Sequence, residues 1–458
     1  MKEQEKTTER QGGELSRRDF MGAAAAVAAF TIVPRHVLGG TGHTPPSEKL
    51  NIACIGVGGM GAIDLKNVSG ENIVALCDVD EDYAGKTFEL YPKAKKYRDF
   101  RKMLEKEKDI EAVMIATPDH THAVIAMTAI KMGKHVYCQK PLTHSVYEAR
   151  KLAEAAREAK VATQMGNQGH SGEAIRLICE WIWDGAIGPV REVQAWSQMP
   201  VWPQGMDRPE QTPPVPSTLD WDLWLGPAPY RPYHPCYVPF NWRGWWDFGT
   251  GTLGDQVCHI LDPAYWALKL GCPVNVEASG SKYVRRMWDK SPNTETYPRA
   301  SVAHYRFGAR DGMPPVKLTW YDGGLMPERP EELEAGRRMG DYIGGLLFIG
   351  DKGKLISGCF GEGARLIPES RMREYEQPPK TIPRSIGHYK EWVQACKTGS
   401  PTGSNFDYAA GLTEIALLGN IALRTGRQLH WDGPNMKITN VDEANLYLRR
   451  KYRDGWAL

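Results

Sequence analysis

Short apolar runs alternate with longer amphipathic stretches through the first half of the chain. The run 49–55 ends on glycines, 73–77 ends on Asp78, 112–117 closes on Pro118, and 134–138 closes on Gln139-Lys140-Pro141. Runs this short, bounded by Gly, Pro and polar residues, predict buried strands. Between them Asp119 opens a helix that reaches Met132-Gly133, and 145–159 reads as another. Strand–helix alternation predicts a parallel, doubly wound Rossmann sheet over residues 49–165, with ligands beyond the carboxyl ends of its strands. Asp78, Thr117, Pro118, Gln139 and Lys140 fall on that edge.

The pattern changes after Pro189. Segments 190–197, 301–307, 316–322 and 346–349 read as strands without a helix after each one. They predict a mainly antiparallel open sheet in an α+β domain over residues 166–440. A long apolar helix runs to Thr425-Gly426, with Asn405 or Ser404 as its cap. Residues 441–458 form a basic, aromatic arm that reads as a packing or oligomer element.

The first strand enters Gly56-Val-Gly58-Gly59-Met60-Gly61, and Asp78 follows 22 positions after Gly56. Glycines at this spacing permit a tight turn, close approach to a pyrophosphate and close helix–strand packing. The acid suits adenine-ribose hydroxyls and repels a 2′-phosphate. A dinucleotide is expected, NAD in preference to NADP. The strand 161–165 opens onto Asn167, Gln168 and His170, which are candidate contacts to nicotinamide or sugar. Further on, Asp255 and His259 stand four apart after a glycine-rich run. On a helix they share a face, and a histidine beside a carboxylate can take a hydroxyl proton near neutral pH.

Composition sharpens this picture in three places. The 458 residues carry 57 Lys+Arg against 55 Asp+Glu, a net +2, which excludes a nucleic-acid partner. Nine scattered cysteines without a C-x-x-C pair fit neither a disulfide framework nor a zinc ribbon. His120, His122, His170 and His259 lack ligand spacing, so no metal is expected. Of 15 tryptophans, Trp202, Trp221, Trp224, Trp242, Trp245 and Trp246 lie in a Pro-rich insertion at 199–248. Indole faces there suit sugar C–H faces, with Trp242, Arg243 and Trp245 as candidate substrate contacts. Equally, the tryptophans cement a loop or a subunit interface.

Residues 1–48 read as an export signal and linker. Ser16-Arg17-Arg18-Asp19-Phe20-Met21 precedes an apolar run, 22–33, too short to span a membrane. This pattern predicts a twin-arginine signal, export of the folded protein by that machinery, and a periplasmic or secreted location.

Taken in order, Gly-x-Gly-x-x-Gly, Ala-Thr117-Pro118-x-x-x-His122 and Lys140-Pro141 resemble the Gfo/Idh/MocA oxidoreductases, over roughly residues 48–440. The resemblance implies cofactor contacts from Thr117, Pro118, His122, Gln139 and Gln168, besides the glycine turn. It places Lys140 near the nicotinamide and the reacting hydroxyl, and makes Asp255, His259 and Asp262 the catalytic segment. The usual acid before Lys-Pro is Gln139 in this chain. A homo-oligomer, dimer or tetramer, is also implied. The expected activity is hydride transfer between tightly bound NAD and a hydroxyl of a carbohydrate or polyol. His259, oriented by Asp255, would be the base, and Lys140 would polarise the oxygen. Two alternatives remain at this point: an NAD-dependent glycosidase working by transient C3 oxidation, and a non-catalytic sugar-binding protein on a vestigial Rossmann scaffold.

Overall fold

The computed structural model describes residues 45–289 and 291–458, so the Arg17-Arg18 segment lies outside the described residues. Residues Leu50–Leu458 form one body. Its first half is built on β1 (Asn51–Ile55), α1 (Gly59–Asn67), β2 (Asn72–Cys77), α2 (Gly85–Leu90), β3 (Lys95–Tyr97), α3 (Phe100–Lys106), β4 (Ala112–Ile115), α4 (Asp119–Lys131), β5 (His135–Cys138), α5 (Val146–Ala159) and β6 (Thr163–Met165). The six strands are parallel in the order β3-β2-β1-β4-β5-β6.

Register fixes where the site forms. Ile55 is level with Cys77 and with Ile115, and Ile115 is level with Cys138. The residues that follow these four therefore leave the sheet along one edge: Asp78, Gly56, then the segment to Thr117-Pro118, and Gln139-Lys140. Helix starts are set by local chemistry. Ser145 caps α5 in a reciprocal capping box with Glu148, and Asp99 caps α3.

The second half carries α6 (Glu173–Trp183), β7 (Val190–Ser197), α7 (Trp221–Leu225), α8 (Gly251–Ile260), α9 (Asp262–Ala267), β8 (Asn275–Gly280), β9 (Ser301–Phe307), β10 (Val316–Tyr321), β11 (Gly344–Gly350), β12 (Gly353–Gly358), β13 (Arg365–Ile367), α10 (Glu369–Glu374), α11 (His388–Thr398), α12 (Phe406–Thr425), β14 (Leu429–Asp432) and β15 (Lys437–Ile438). Nine strands order as β13-β12-β11-β7-β10-β9-β8-β14-β15. Among the described residues β7 and β10 pair in parallel and the other neighbours antiparallel. The expected strands are all present. Asp322 stands just past β10, where its carboxylate accepts from the Ser301 amide and hydroxyl.

Helix α12 is capped by Asn405, which accepts from the Asp407 and Tyr408 amides, and ends on left-handed Gly426. It packs against α5, α8 and β8, joining the halves. Two late segments return to the Rossmann sheet, so the span 166–440 does not stay in one layer. Trp392 of α11, fully buried, shares a core with Leu50, Ile52 and Tyr137. The terminal arm also comes back: the Tyr147 amide donates to Leu448 O, and the Lys131 ammonium donates to Leu458 O.

Candidate active site

A cleft of about 390 Å³ follows the strand-end edge, lined at one end by Gln139, Lys140, Trp242 and Arg243 and elsewhere by the glycine turn, Asp78 and Thr117-Pro118. The turn is close to its steric limit. A Cβ on Gly61 would lie 1.8 Å from Gly56 O, and one on Gly56, at φ +77°, would lie 2.7 Å from Ala116 O. Helix α1 starts on Gly58 without a side-chain cap on its first-turn amides, and Gly58, Gly59 and Met60 line the cleft. Those amides and the glycine cradle fit a pyrophosphate.

Asp78 braces the turn. Its Oδ2 accepts from the Val57 and Gly58 amides at 2.8 and 3.3 Å, and Oδ1 from the Asp80 amide at 3.0 Å. Burial pushes its carboxyl up to about 6, against the pull of these bonds. Tyr83 lies across Gly58 and Gly59, its ring occupying the space a Cβ on Gly58 would need.

Lys140 reaches across the two halves. Its Nζ donates to Asp255 Oδ1 at 2.7 Å and to Asp255 O at 3.0 Å. Asp255 Oδ1 also accepts from Arg243 Nε at 3.1 Å, and Oδ2 from Gln256 at 2.6 Å. Burial alone would raise the Asp255 carboxyl; Lys140 and Arg243 reverse this and hold it well below the usual carboxylate range. The expected Asp255–His259 couple is therefore not formed: both residues stand on α8, but two cations and Gln256 take the carboxylate. His259 lies under Phe360, ring centroids 4.8 Å apart, and its Nδ1 has no hydrogen-bond partner among the described residues. Burial first, then the Lys140 charge, push His259 down to about 3, so its imidazole is neutral.

Gln139 forms a second buried layer. Its amide donates to Asp64 Oδ2 at 2.8 Å, and Tyr389 donates to Asp64 Oδ1 at 2.7 Å. Gln168 donates to Tyr389 at 3.1 Å rather than lining the cleft. Burial raises the Asp64 carboxyl to about 6.

Several expected contacts are placed elsewhere. His122 spans two main-chain oxygens, Pro141 O at 2.9 Å and Thr117 O at 2.8 Å, and so ties the strand-end loops together. His170 is buried between Trp266 and Tyr408 and bonds Asp262 at 3.1 Å. Asn167 donates to the same carboxylate at 3.0 Å and accepts from Ser404 at 2.6 Å. Neither lines the cleft. Trp245 is fully buried in a core with Trp221, Trp224, Tyr237 and Phe248, whereas Trp242 borders the cleft against the Arg243 guanidinium at 4.2 Å. Asp247 pairs with buried Arg231. Among the described residues no group of His, Cys, Asp and Glu is arranged to hold a metal ion.

Asp64, Tyr83, Tyr389 and Trp456 were not anticipated. Asp64 carried a signal: it lies three positions after Gly61, on the helix side that also buries Gly61 and Leu65. The others are brought in by loops and by the end of the chain, which no local pattern announces.

Residues 50–167 match the NAD-binding Rossmann fold of an oxidoreductase family, Gfo/Idh/MocA, and residues 193–285 match that family's C-terminal alpha/beta domain. An inositol 2-dehydrogenase of Rubrobacter xylanophilus is 32% identical over 155 residues, 33% of this chain and 44% of the relative. A levoglucosan dehydrogenase of Pseudarthrobacter phenanthrenivorans is 33% identical over 186 residues, 40% of this chain and 38% of the relative. The matched segments thus span less than half the length of these relatives. A levoglucosan dehydrogenase solved with NADH and levoglucosan shares the fold at TM-score 0.55 and 18% identity, covering 84% of this chain and 99% of that one.

Proposed function

From a chain that carries both the Rossmann and the C-terminal domain of the Gfo/Idh/MocA oxidoreductase family, we propose an NAD-dependent oxidoreductase acting on a hydroxyl of a carbohydrate or polyol. The observation that carries this reading is Lys140, held by Asp255 from the other half at the end of a cleft that also runs past the glycine turn and Asp78. When bound, nicotinamide supplies the hydride chemistry; the protein supplies position and proton handling.

The glycine turn and the α1 amides hold the pyrophosphate, and Asp78 receives the adenine ribose. NAD is favoured over NADP on electrostatic grounds. Asp78 and Asp80 line this end of the cleft and would repel a 2′-phosphate, and Arg98, which also lines it, is paired with Glu81 at 2.6 Å. Lys140 donates to the reacting oxygen and stabilises charge developing there. His259, neutral and unpartnered at Nδ1, is the acceptor of the hydroxyl proton in this reading. Its Nδ1 is buried next to Lys140 and, like Asp255, His259 does not line the cleft, so the side chain must turn toward the substrate to act. The Asp255 carboxylate one turn back favours the protonated imidazole and Lys140 opposes it. Asp255 thus acts mainly by orienting Lys140.

The protein is exported in this reading, through Arg17-Arg18, with its nucleotide already bound and retained, and it assembles as a homo-oligomer. Support for export is the 16–21 motif alone, and Arg17→Lys with Arg18→Lys is expected to keep the chain in the cytoplasm.

The test is direct. Purified protein is assayed for bound nucleotide, then incubated with polyols, aldoses and aryl glycosides. Keto-product with matching NADH supports the proposal. Release of aglycone without net NADH would replace it with the glycosidase, and failure to bind NAD would overturn it.

A further inference from the structure

The end of the chain closes the cleft at the pole opposite Lys140. Because β3 and β2 are the outer strands on that side, residues following them mark the far end. Arg98 and Phe100, just past β3, line it together with Val79, Leu223 and Trp456. Trp456 comes from the terminal arm, more than three hundred residues later in sequence. Its ring lies 6.1 Å from that of Phe100, and the Arg101 guanidinium sits 4.6 Å from the indole centroid.

The arm is tied on both sides of this tryptophan. Before it, Tyr452 donates to Glu148 at 2.6 Å. The Arg453 guanidinium pairs with Asp222 and donates to Gly226 O at 3.1 Å, and the Arg453 amide donates to Pro227 O at 3.1 Å. After it, Leu458 O accepts from Lys131 at 3.0 Å. The indole is thus held between α3 and the α7 turn.

This pole lies beyond Asp78, the residue assigned above to the adenine ribose, and Phe100, Val79, Leu223 and Trp456 give it apolar walls beside the Arg98 side chain. We propose that Trp456 is a cofactor-binding residue that packs against the adenine ring, and that residues 449–458 act as a strap retaining the dinucleotide. The inference rests on the dinucleotide reading above and adds to it a residue and a device. Aromatic–base stacking is sequence-remote here but strong enough to matter, about 1–3 kcal/mol per base by truncation, or roughly 5- to 150-fold in affinity. A strap of this kind suits an enzyme that must not lose its cofactor.

Calorimetric titration of the full chain, stripped of nucleotide, with NAD, ADP-ribose and nicotinamide mononucleotide tests it. Trp456→Ala is expected to weaken NAD and ADP-ribose about tenfold and leave the mononucleotide, which lacks adenine, unchanged. Trp456→Phe is expected to restore most of the loss. Arg453→Ala, which unties the strap but keeps the indole, is expected to speed NAD dissociation several-fold. Wild-type binding of NAD with Trp456→Ala within twofold of it would overturn the proposal alone, as would a parallel loss of the mononucleotide. Wild-type protein that binds no NAD would overturn the dinucleotide reading and the strap with it.

Discussion

Lys140 Nζ lies 2.7 Å from Asp255 Oδ1, and this bond helps join the end of the Rossmann edge to the helix that carries His259. Both side chains are about nine-tenths buried. Arg243 shares the carboxylate, so the cluster carries one net positive charge facing the cleft. That charge is suited to an oxygen gaining negative character. Lys140→Met is therefore expected to cut turnover by at least about 10³-fold while the affinity for NAD changes less than about threefold. Removing one partner of a buried pair also leaves Asp255 under-compensated, so a stability loss of about 3 kcal/mol is expected by chemical denaturation. Unchanged turnover would remove Lys140 from the mechanism.

Gln139 and Asp64 form a matched neutral–acid pair, and the 2.8 Å contact explains why an amide suits position 139. A second carboxylate there would face the first across a hydrogen-bond distance. Gln139→Glu is expected to cost about 2 kcal/mol at pH 8, and Asp64→Asn in the same chain to recover most of it. The double-mutant cycle should give a coupling of about 1–3 kcal/mol. Additive effects would show that the pair does not set this choice.

Asp64 also makes stability depend on pH. Its folded carboxyl titrates at about 6, above an ordinary aspartate near 3.9 in the unfolded chain. A carboxyl raised on folding contributes stability fully below the unfolded value and loses it as pH rises through the folded one. Between pH 5 and pH 8 the wild type should therefore lose about 1–2 kcal/mol that Asp64→Asn does not lose. Urea unfolding of both proteins at the two pH values checks the difference, and a swing of equal size in both would assign it to other groups.

The strand-end edge was legible because it depends on local signals: apolar runs, the glycine spacing and the acid after β2. The fold brings Lys140, Asp255 and His259 close together, and each was singled out by type and position. Their partnership was not, because i, i+4 spacing on α8 said that Asp255 and His259 share a face but nothing of a lysine arriving from β5. The burial of Asn167 and His170 follows from Asp262 and Tyr408, which reach them from distant segments. Strand ends show up in sequence; which buried acid satisfies which donor is decided by tertiary packing.

The tryptophan-rich insertion divides into two roles that substitution should separate. Trp245 is fully buried, its ring 4.7 Å from Tyr237, with Arg231 over it at 5.8 Å. Trp221 and Trp224 stack beside it at 4.7 Å. Trp245 and Trp221 sit in the interior of this small core, whereas Trp224 and Trp242, also members of it, line the cleft. Trp245→Ala is expected to cost about 3–5 kcal/mol, as for other buried aromatics. Trp242, by contrast, borders the cleft and flanks Arg243, which holds Asp255. Trp242→Phe keeps a ring on the guanidinium and should shift Tm by less than about 3 °C. Its effect is expected in KM for the proposed carbohydrate or polyol substrate, raised several-fold, with kcat within about twofold. If Trp242→Phe changed neither constant, the substrate would not reach Trp242.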